Sequence, residues 1–432
     1  MKAFAWLSML HALMAGGDKC YDAAIQTRLP LDDTYKPHKL QDKVPDSEAP
    51  YIRWEGTISR KQLDEQCPKH VFEHFNRDLA IARYKIVDNE LYVHSTEKGF
   101  IDVRRLLFEE MALVMLYLYD MPDMEFLISN MDEPLCGCPV LSYAVDALDA
   151  SCTAFLMPSE RLWLSTMSTA QAHTFTACLK DTYPDDARLI KAVWRGSDTT
   201  AGGATLHPHN WLSARRVKLA LFGMMFPDTM DVGLVQYTNA AEKTRKMMHI
   251  LTPIKHRVDV EDFNQYAAII DVDGNAWSDR FNYLMRFNTV LLKQKPEFYE
   301  YFFHWLEPGK HFLFFEGNLS DVVSVVDDAL YHWQHDRKRL STIISNANDF
   351  ATEKFTHPKV CEALAHTLLA YKKKSAFEFD PDVSDYEKVD RASCCRPFSR
   401  AMPEEFLDLL RGAGGPARRT FRRSHLAAQR SP

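Results

Sequence analysis

Three observations predict an α/β protein of two layered halves. The chain of 432 residues exceeds the usual size of a single core. Short apolar strand candidates alternate with helical periodicity over about 82–157, and again from about 188 to 354. The stretch "YAAIIDVDG" (266–274) is a near-continuous apolar run, as expected of a central parallel strand buried on both faces.

At the N-terminus, "MKAFAWLSMLHALMAGG" has one Lys and then an apolar run ending in small residues. It is short for a bilayer span and suits a signal peptide over 1–17, cleaved near Ala15 to Gly17. No other stretch is apolar for long enough to span a membrane. Residues 18–50, rich in Pro, Asp and Lys, read as a wrapping arm. "ARYKIVDNELYVHS" (82–95) alternates around Asp88-Asn89, a hairpin signature. "DVRRLLFEEMALVMLYLYD" (102–120) has helical spacing. Strand candidates follow at 124–129, 139–145 and 152–157.

The second half opens with "LIKAVW" (189–194), a strand running straight into the loop "RGSDTTAGG". A helix over 213–223 leads to a strand at 231–237, and then comes the apolar run 266–274. Ser278 suits an N-cap, with Asp279 in the first turn and Phe281, Leu284 and Phe287 on one stripe, so a helix is expected over 278–287. Strands at 289–294 and 311–317 and helices at 320–334 and 336–354 complete a Rossmann-like half. From Arg411 the chain carries six Arg and no acid among Gly, Pro and Ser, a solvated basic tail. The formal net charge of -7 leaves the body no basic surplus for nucleic acid.

In a doubly wound sheet, ligands bind beyond the carboxyl ends of the strands. The loop 273–280 lies in that place. Gly274 lets the backbone come close to a ligand, N–H groups around Ala276 to Ser278 point outward, and Arg280 can fork onto two phosphate oxygens. Arg195, followed by Gly196 and Ser197, leaves its own strand at the equivalent end. Two such Arg suit a diphosphate, although either alone is better read as pairing with a structural carboxylate. Asp271-Val272-Asp273 also spells D-x-D, a pattern that can hold a divalent metal. Residues two apart on a strand share a face, but only the loop end is accessible, so no metal is expected there.

These residues carry a resemblance. "YAAIIDVDGNAWSDRFNYLMRFNTVLLKQ…FYEYFFHWLEPGKHFLFFEGNLSDV" resembles the core of glycosyltransferase family 90, with its D-G-x-x-x-S-x-R-F pattern and the later Leu306, Pro308 and His311 in order. "VWRGSDT" resembles that family's strand ending in R-G-S, and "PDMEFLISNMDEP" its segment with an Asp two before a Pro. The resemblance implies a GT-B architecture of two facing Rossmann-like domains with a C-terminal helical segment. The boundaries expected are 18–187 for the acceptor side, 188–355 for the donor side, 356–410 for the helical extension and 411–432 for the tail. It further implies inverting, metal-independent transfer of glucose or xylose from a UDP-sugar to a hydroxyl of a protein or glycan acceptor, with no cofactor.

Carried over, Asp132 matches the catalytic base, and Arg195 with Asn275 to Arg280 (Asn275, Ala276, Trp277, Ser278, Asp279, Arg280) match donor-binding positions; Ser197 and Gly274 are grouped with them. Trp277 packs either on the donor or in the core. His311 reads as a hydrogen-bonded structural residue rather than a second base. Cys361 matches a structural Cys whose partner is Cys20 or Cys67. The sequon Asn318-Leu319-Ser320 is a glycosylation site if the chain enters the secretory lumen, the endoplasmic reticulum or Golgi. Two departures stand out. "LYVHSTEKGF" has no Cys-bracketed loop, so an EGF-like acceptor is not implied, and no Gly-Arg-Trp segment over 159–188 points to the sugar. Competing readings are a donor-binding pseudoenzyme and a metal-dependent GT-A-like transferase using Asp271 and Asp273.

Overall fold

In the computed structural model, the described residues are 19–25, 53–65, 70–72, 75–76, 81–98, 102–129 and 131–389. The expected leader, most of the arm, Cys67 and the basic tail lie outside them.

The N-terminal half contains α1 (Lys19–Ile25), β1 (Ile81–Val87), β2 (Glu90–Lys98), α2 (Asp102–Leu118), β3 (Met124–Ser129), β4 (Leu141–Ser142), β5 (Ala144–Asp146), β6 (Phe155–Leu156), α3 (Glu160–Ser165) and α4 (Thr169–Thr182). Asp88 (φ 51°) and Asn89 (φ 60°) form the β1–β2 turn, both left-handed, as a two-residue hairpin requires. Strand β3 falls where the sequence puts it and is buried on both faces. The expected strand 139–145 divides in two. β4 joins the main sheet, and β5 leaves it to pair elsewhere.

The C-terminal half contains β7 (Leu189–Ser197), α5 (Arg215–Met225), β8 (Met230–Gln236), α6 (Glu242–Leu251), β9 (Tyr266–Asp271), α7 (Phe281–Leu284), β10 (Val290–Gln294), β11 (Phe298–Glu300), β12 (Leu313–Phe315), α8 (Val322–His335) and α9 (Arg337–Lys354). Helix α10 (His357–Lys374) and strand β13 (Tyr386–Lys388) then return to the N-terminal half, where α10 packs on α2 and β13 pairs with β2.

Two α/β layers result. The N-terminal sheet runs β13-β2-β1-β3-β4-β6, antiparallel at the hairpin side and parallel from β3 to β6. The C-terminal sheet runs β8-β7-β9-β10-β12 and is parallel throughout. Side-chain alternation divides its two faces between two cores. Val193, Ile269 and Leu291 face a core shared with the N-terminal half, whereas Trp194, Ile270 and Leu292 face the packing of α5 and α8. A ribbon of β5 against β11 also joins the halves, and Ser159, which caps α3, donates to buried Glu300 of β11 at 3.3 Å.

Two expectations are corrected. The helix expected over 278–287 shortens to Phe281–Leu284, because the Ser278 hydroxyl donates to Asp271 instead of capping a helix. Cys361 is a free thiol, fully buried on α10 and directed at the Met111 carbonyl of α2 at 3.8 Å. Its expected partner Cys20 is bonded to Cys178, tying α1 to α4 across 158 residues. A loop of that length makes the link worth about 5 kcal/mol in the chain-entropy picture. Cys136 is bonded to Cys152, and Cys138 is disulfide-bonded as well.

Candidate active site

A cleft opens between the carboxyl ends of the C-terminal strands and the loop that follows β3. Asp132, Arg195, Ser197 and the whole run Gly274 to Arg280 line it, so the two halves meet where the sequence places the chemistry.

The D-x-D carboxylates do not face this cleft as a pair. Strand register sets Lys293 of β10 beside Asp271 of β9. The Lys293 ammonium donates to Asp271 at 2.8 Å and to Asp273 at 2.6 Å, with all three side chains buried. Burial opposes the Lys293 charge, and the two carboxylates outweigh it, leaving its pKa raised. Burial likewise raises Asp273, against the pull of Lys293. A divalent ion at this spot would have to displace an ammonium already hydrogen-bonded to both oxygens' owners.

Three guanidinium groups line the cleft without a carboxylate of their own: exposed Arg257, which donates to the Gln236 side chain at 3.0 Å, and the more enclosed pair Arg280 and Arg216. Arg280 donates to the Arg195 carbonyl at 2.6 Å, and Arg216, from the first turn of α5, donates to the Asp273 and Val272 carbonyls at 3.0 Å and to the Thr199 hydroxyl at 2.6 Å. Neither makes an ion pair among the described residues. Burial lowers the pKa of both. For Arg216 it falls to about 10, with the neighbouring Arg280 charge adding to the effect. Two unpaired, partly desolvated cations side by side are the local condition for holding an anion. Gly274 makes room for this arrangement, since a Cβ there would lie 2.9 Å from an Arg216 nitrogen.

Arg195 does not share that role in this geometry. All five of its N–H groups are taken, by the Trp194, Asp231 and His256 carbonyls and by a fork of two 2.9 Å bonds onto the Asp231 carboxylate. Burial opposes the Asp231 charge, but Tyr266, Lys255 and Arg195 hold its pKa well below the usual carboxylate range. Arg195 forks onto Asp231 in the cleft wall. Arg216 is the cation beside Arg280 at the cleft, and the sequence did not single it out because "SARRVK" carries only a helical pattern.

Of the remaining donor-side positions, Ser197 is buried wall, and its carbonyl accepts from Arg216 at 3.5 Å. Ala276 is buried, and Trp277 lies tilted on Tyr143 at 5.9 Å within the shared core. Asp279 stands 3.8 Å from Arg161, and burial together with Asp132 and Glu160 pushes its pKa up to about 6 against the pull of Arg161.

On the facing wall, Asp132 follows β3. One carboxylate oxygen pairs with Arg104 of α2, and the other accepts from the Asn275 side chain at 3.4 Å. Glu133 lines no part of the cleft; burial, then Asp132, raises its pKa to about 7. His311 accepts the Glu307 N–H at 3.0 Å and packs edge-on against Phe350, away from the cleft, with burial lowering its pKa. Asn318 is exposed, and its side-chain oxygen accepts from the Ser320 N–H.

Comparison with known proteins places this geometry in context. The family model "Glycosyl transferase family 90" matches residues 61–400. Protein O-glucosyltransferase 3 of Rattus norvegicus is 25% identical over 284 residues, covering 62% of this chain and 50% of that protein. Its Homo sapiens counterpart is 24% identical, with the same coverage, and Protein O-glucosyltransferase 2 of Danio rerio is 24% identical, covering 62% and 51%. The chain thus spans about half the length of the curated relatives it matches. Among solved structures, Anabaena HepE in complex with UDP aligns at 12% identity with a TM-score of 0.32, covering 62% of this chain and 77% of that one.

Proposed function

This chain belongs to glycosyl transferase family 90, and on that premise we propose that it moves glucose or xylose from a UDP-sugar to a hydroxyl of a protein or glycan acceptor. The reaction is a single displacement with inversion and needs no metal ion. One observation carries the reading. Arg216 and Arg280 converge on the cleft with no carboxylate of their own, and Asp132 faces them from the other half.

In this mechanism the donor diphosphate lies against Arg216 and Arg280. Their charges stabilise the UDP that departs, the role a metal fills elsewhere, and partial desolvation strengthens them. Asp132 removes the proton from the acceptor hydroxyl as that oxygen attacks the anomeric carbon from the side opposite UDP. The bond to UDP breaks as the new glycosidic bond forms. Asn275 steadies the second Asp132 oxygen beside the donor loop. Lys293 offsets one of the two charges of the D-x-D pair and so lessens its repulsion of the diphosphate.

The disulfides Cys20–Cys178 and Cys136–Cys152 suit an oxidising lumen, and support the secretory route as the working compartment. Among the described residues no helix is long and apolar enough to cross a membrane.

The test is UDP release from UDP-glucose and UDP-xylose with candidate acceptors, together with the anomeric configuration of the product. Inverted product from either donor supports the proposal. A donor that binds but yields neither hydrolysis nor transfer would favour a nucleotide-sugar-binding pseudoenzyme.

A further inference from the structure

Asp132 is not held by its own loop. Its first carboxylate oxygen is paired with Arg104, which projects from the opening of α2 and is only 1% exposed. The same guanidinium lies 3.0 Å, through Nε, from Glu160 Oε1 at the start of α3. It also sits 5.8 Å above the Tyr143 ring. Burial works against the charge on Arg104, and the Asp132 and Glu160 carboxylates more than restore it. A buried planar cation paired with two carboxylates and set beside a ring has little rotamer freedom.

We propose that Arg104 is the positioning residue of the reaction: by dividing its guanidinium between Glu160 and Asp132 it fixes one oxygen of Asp132 and turns the other into the cleft. The reason lies in the geometry of a fork. The ion pair of Glu160 with Nε holds the guanidinium in the core, so the adjoining Nη2 presents its N–H groups at a set place. Asp132 Oδ1 takes that place, and Oδ2 is left pointing at Asn275 and the space where an acceptor hydroxyl must arrive. A lysine there would supply charge but could not span both carboxylates. Arg104 does not line the cleft. Its effect passes entirely through Asp132.

This inference rests on Asp132 being the base, and the test separates the two ideas. The steady-state rate and the affinity for UDP are measured in the full chain for Arg104→Lys, Arg104→Gln, Asp132→Asn and the double variant Arg104→Gln with Asp132→Asn. The expected result for Arg104→Lys is a fall in kcat of about 10- to 100-fold, the scale on which ångström misplacement of a reacting group acts, with UDP affinity kept within about twofold. In the Asp132→Asn background, Arg104→Gln should lower kcat no further, because the group it positions is already disabled.

Near-normal kcat in Arg104→Lys, with Asp132→Asn inactive, overturns the role of Arg104 and leaves the base standing. Losses that multiply in the double variant overturn it as well, since they mean Arg104 acts on something other than Asp132. Full turnover in Asp132→Asn removes the base itself, and the proposal with it. Should Arg104→Gln fail to fold, Arg104→Lys, which keeps the buried charge, decides alone.

Discussion

Asn275 and Asp132 stand 143 residues apart, yet the amide of one donates to the carboxylate of the other at 3.4 Å across the cleft. The contact joins the loop beneath the proposed diphosphate site to the proposed base. In the proposed mechanism donor binding and base orientation share this residue, and the acceptor hydroxyl approaches the oxygen that Asn275 touches.

Asp132→Asn keeps shape and hydrogen bonding and removes the base. We expect transfer to fall by about 10²–10⁴-fold, with UDP affinity by calorimetry unchanged. Glu133→Gln, whose side chain is outside the cleft, should cost little. Near-normal turnover in a stable Asp132→Asn protein would contradict the assignment.

Arg216→Ala and Arg280→Ala should each weaken UDP binding by about 1.5–3 kcal/mol, the usual size of a charge-assisted contact to a phosphate oxygen. Arg195→Ala should behave differently. It strips the fork from Asp231 and lowers the melting temperature, while UDP binds the folded fraction as before. A loss of UDP affinity confined to Arg195→Ala would show that the diphosphate sits elsewhere.

Glu110 is buried, accepts one bond from the Trp163 indole at 3.1 Å, and is raised by burial to about 7. Its folded pKa thus lies above the ordinary value, so the folded state holds a proton the unfolded chain releases. Stability from this group is present below about pH 4.5 and declines as pH rises toward 7. Glu110→Gln keeps the indole bond and abolishes the charge. Its melting temperature should exceed the parent's at pH 8 and match it near pH 4.5. Equal melting temperatures at pH 8 would mean that Glu110 pays no burial penalty.

Chelation should leave the transfer rate unchanged, because the Lys293 ammonium already occupies both Asp271 and Asp273. Lys293→Met should be severely destabilised, by about 3–5 kcal/mol, since it leaves two carboxylates buried together. Activity lost in EDTA and restored by manganese would overturn the metal-free mechanism.

Local rules made much of the fold legible. Asp88-Asn89 tolerates two left-handed residues and so announces its hairpin, and the unbroken apolar run before Asp271 announces a central strand. Pairwise contacts between distant segments were not legible. Nothing in the sequence near Arg195 shows that β8 lies alongside and brings Asp231 into its fork. Nothing near Cys361 shows that its helix returns to α2 while Cys20 turns to Cys178. The Ser278 cap failed for a related reason: its hydroxyl had a closer acceptor in Asp271, supplied by the tertiary turn. Arg104 and Arg216 escaped notice because helical arginines read as solvated surface until the packing that buries them is known.

The core shared by the two halves, and the β5–β11 ribbon with it, bear on how such a chain could be re-engineered. Swapping the segment 188–355 for that of a relative, in order to change the sugar, would carry Ile269, Leu291 and β11 into a foreign partner. The chimera would then have to rebuild an apolar seam and a strand pairing at once. Even an exchange confined to the loop 272–280 would disturb this seam, because Ala276 and Trp277 pack in it, the latter against Tyr143 of the other half. A split version of the protein would be viable only as two fragments produced together, each covering the other's exposed face.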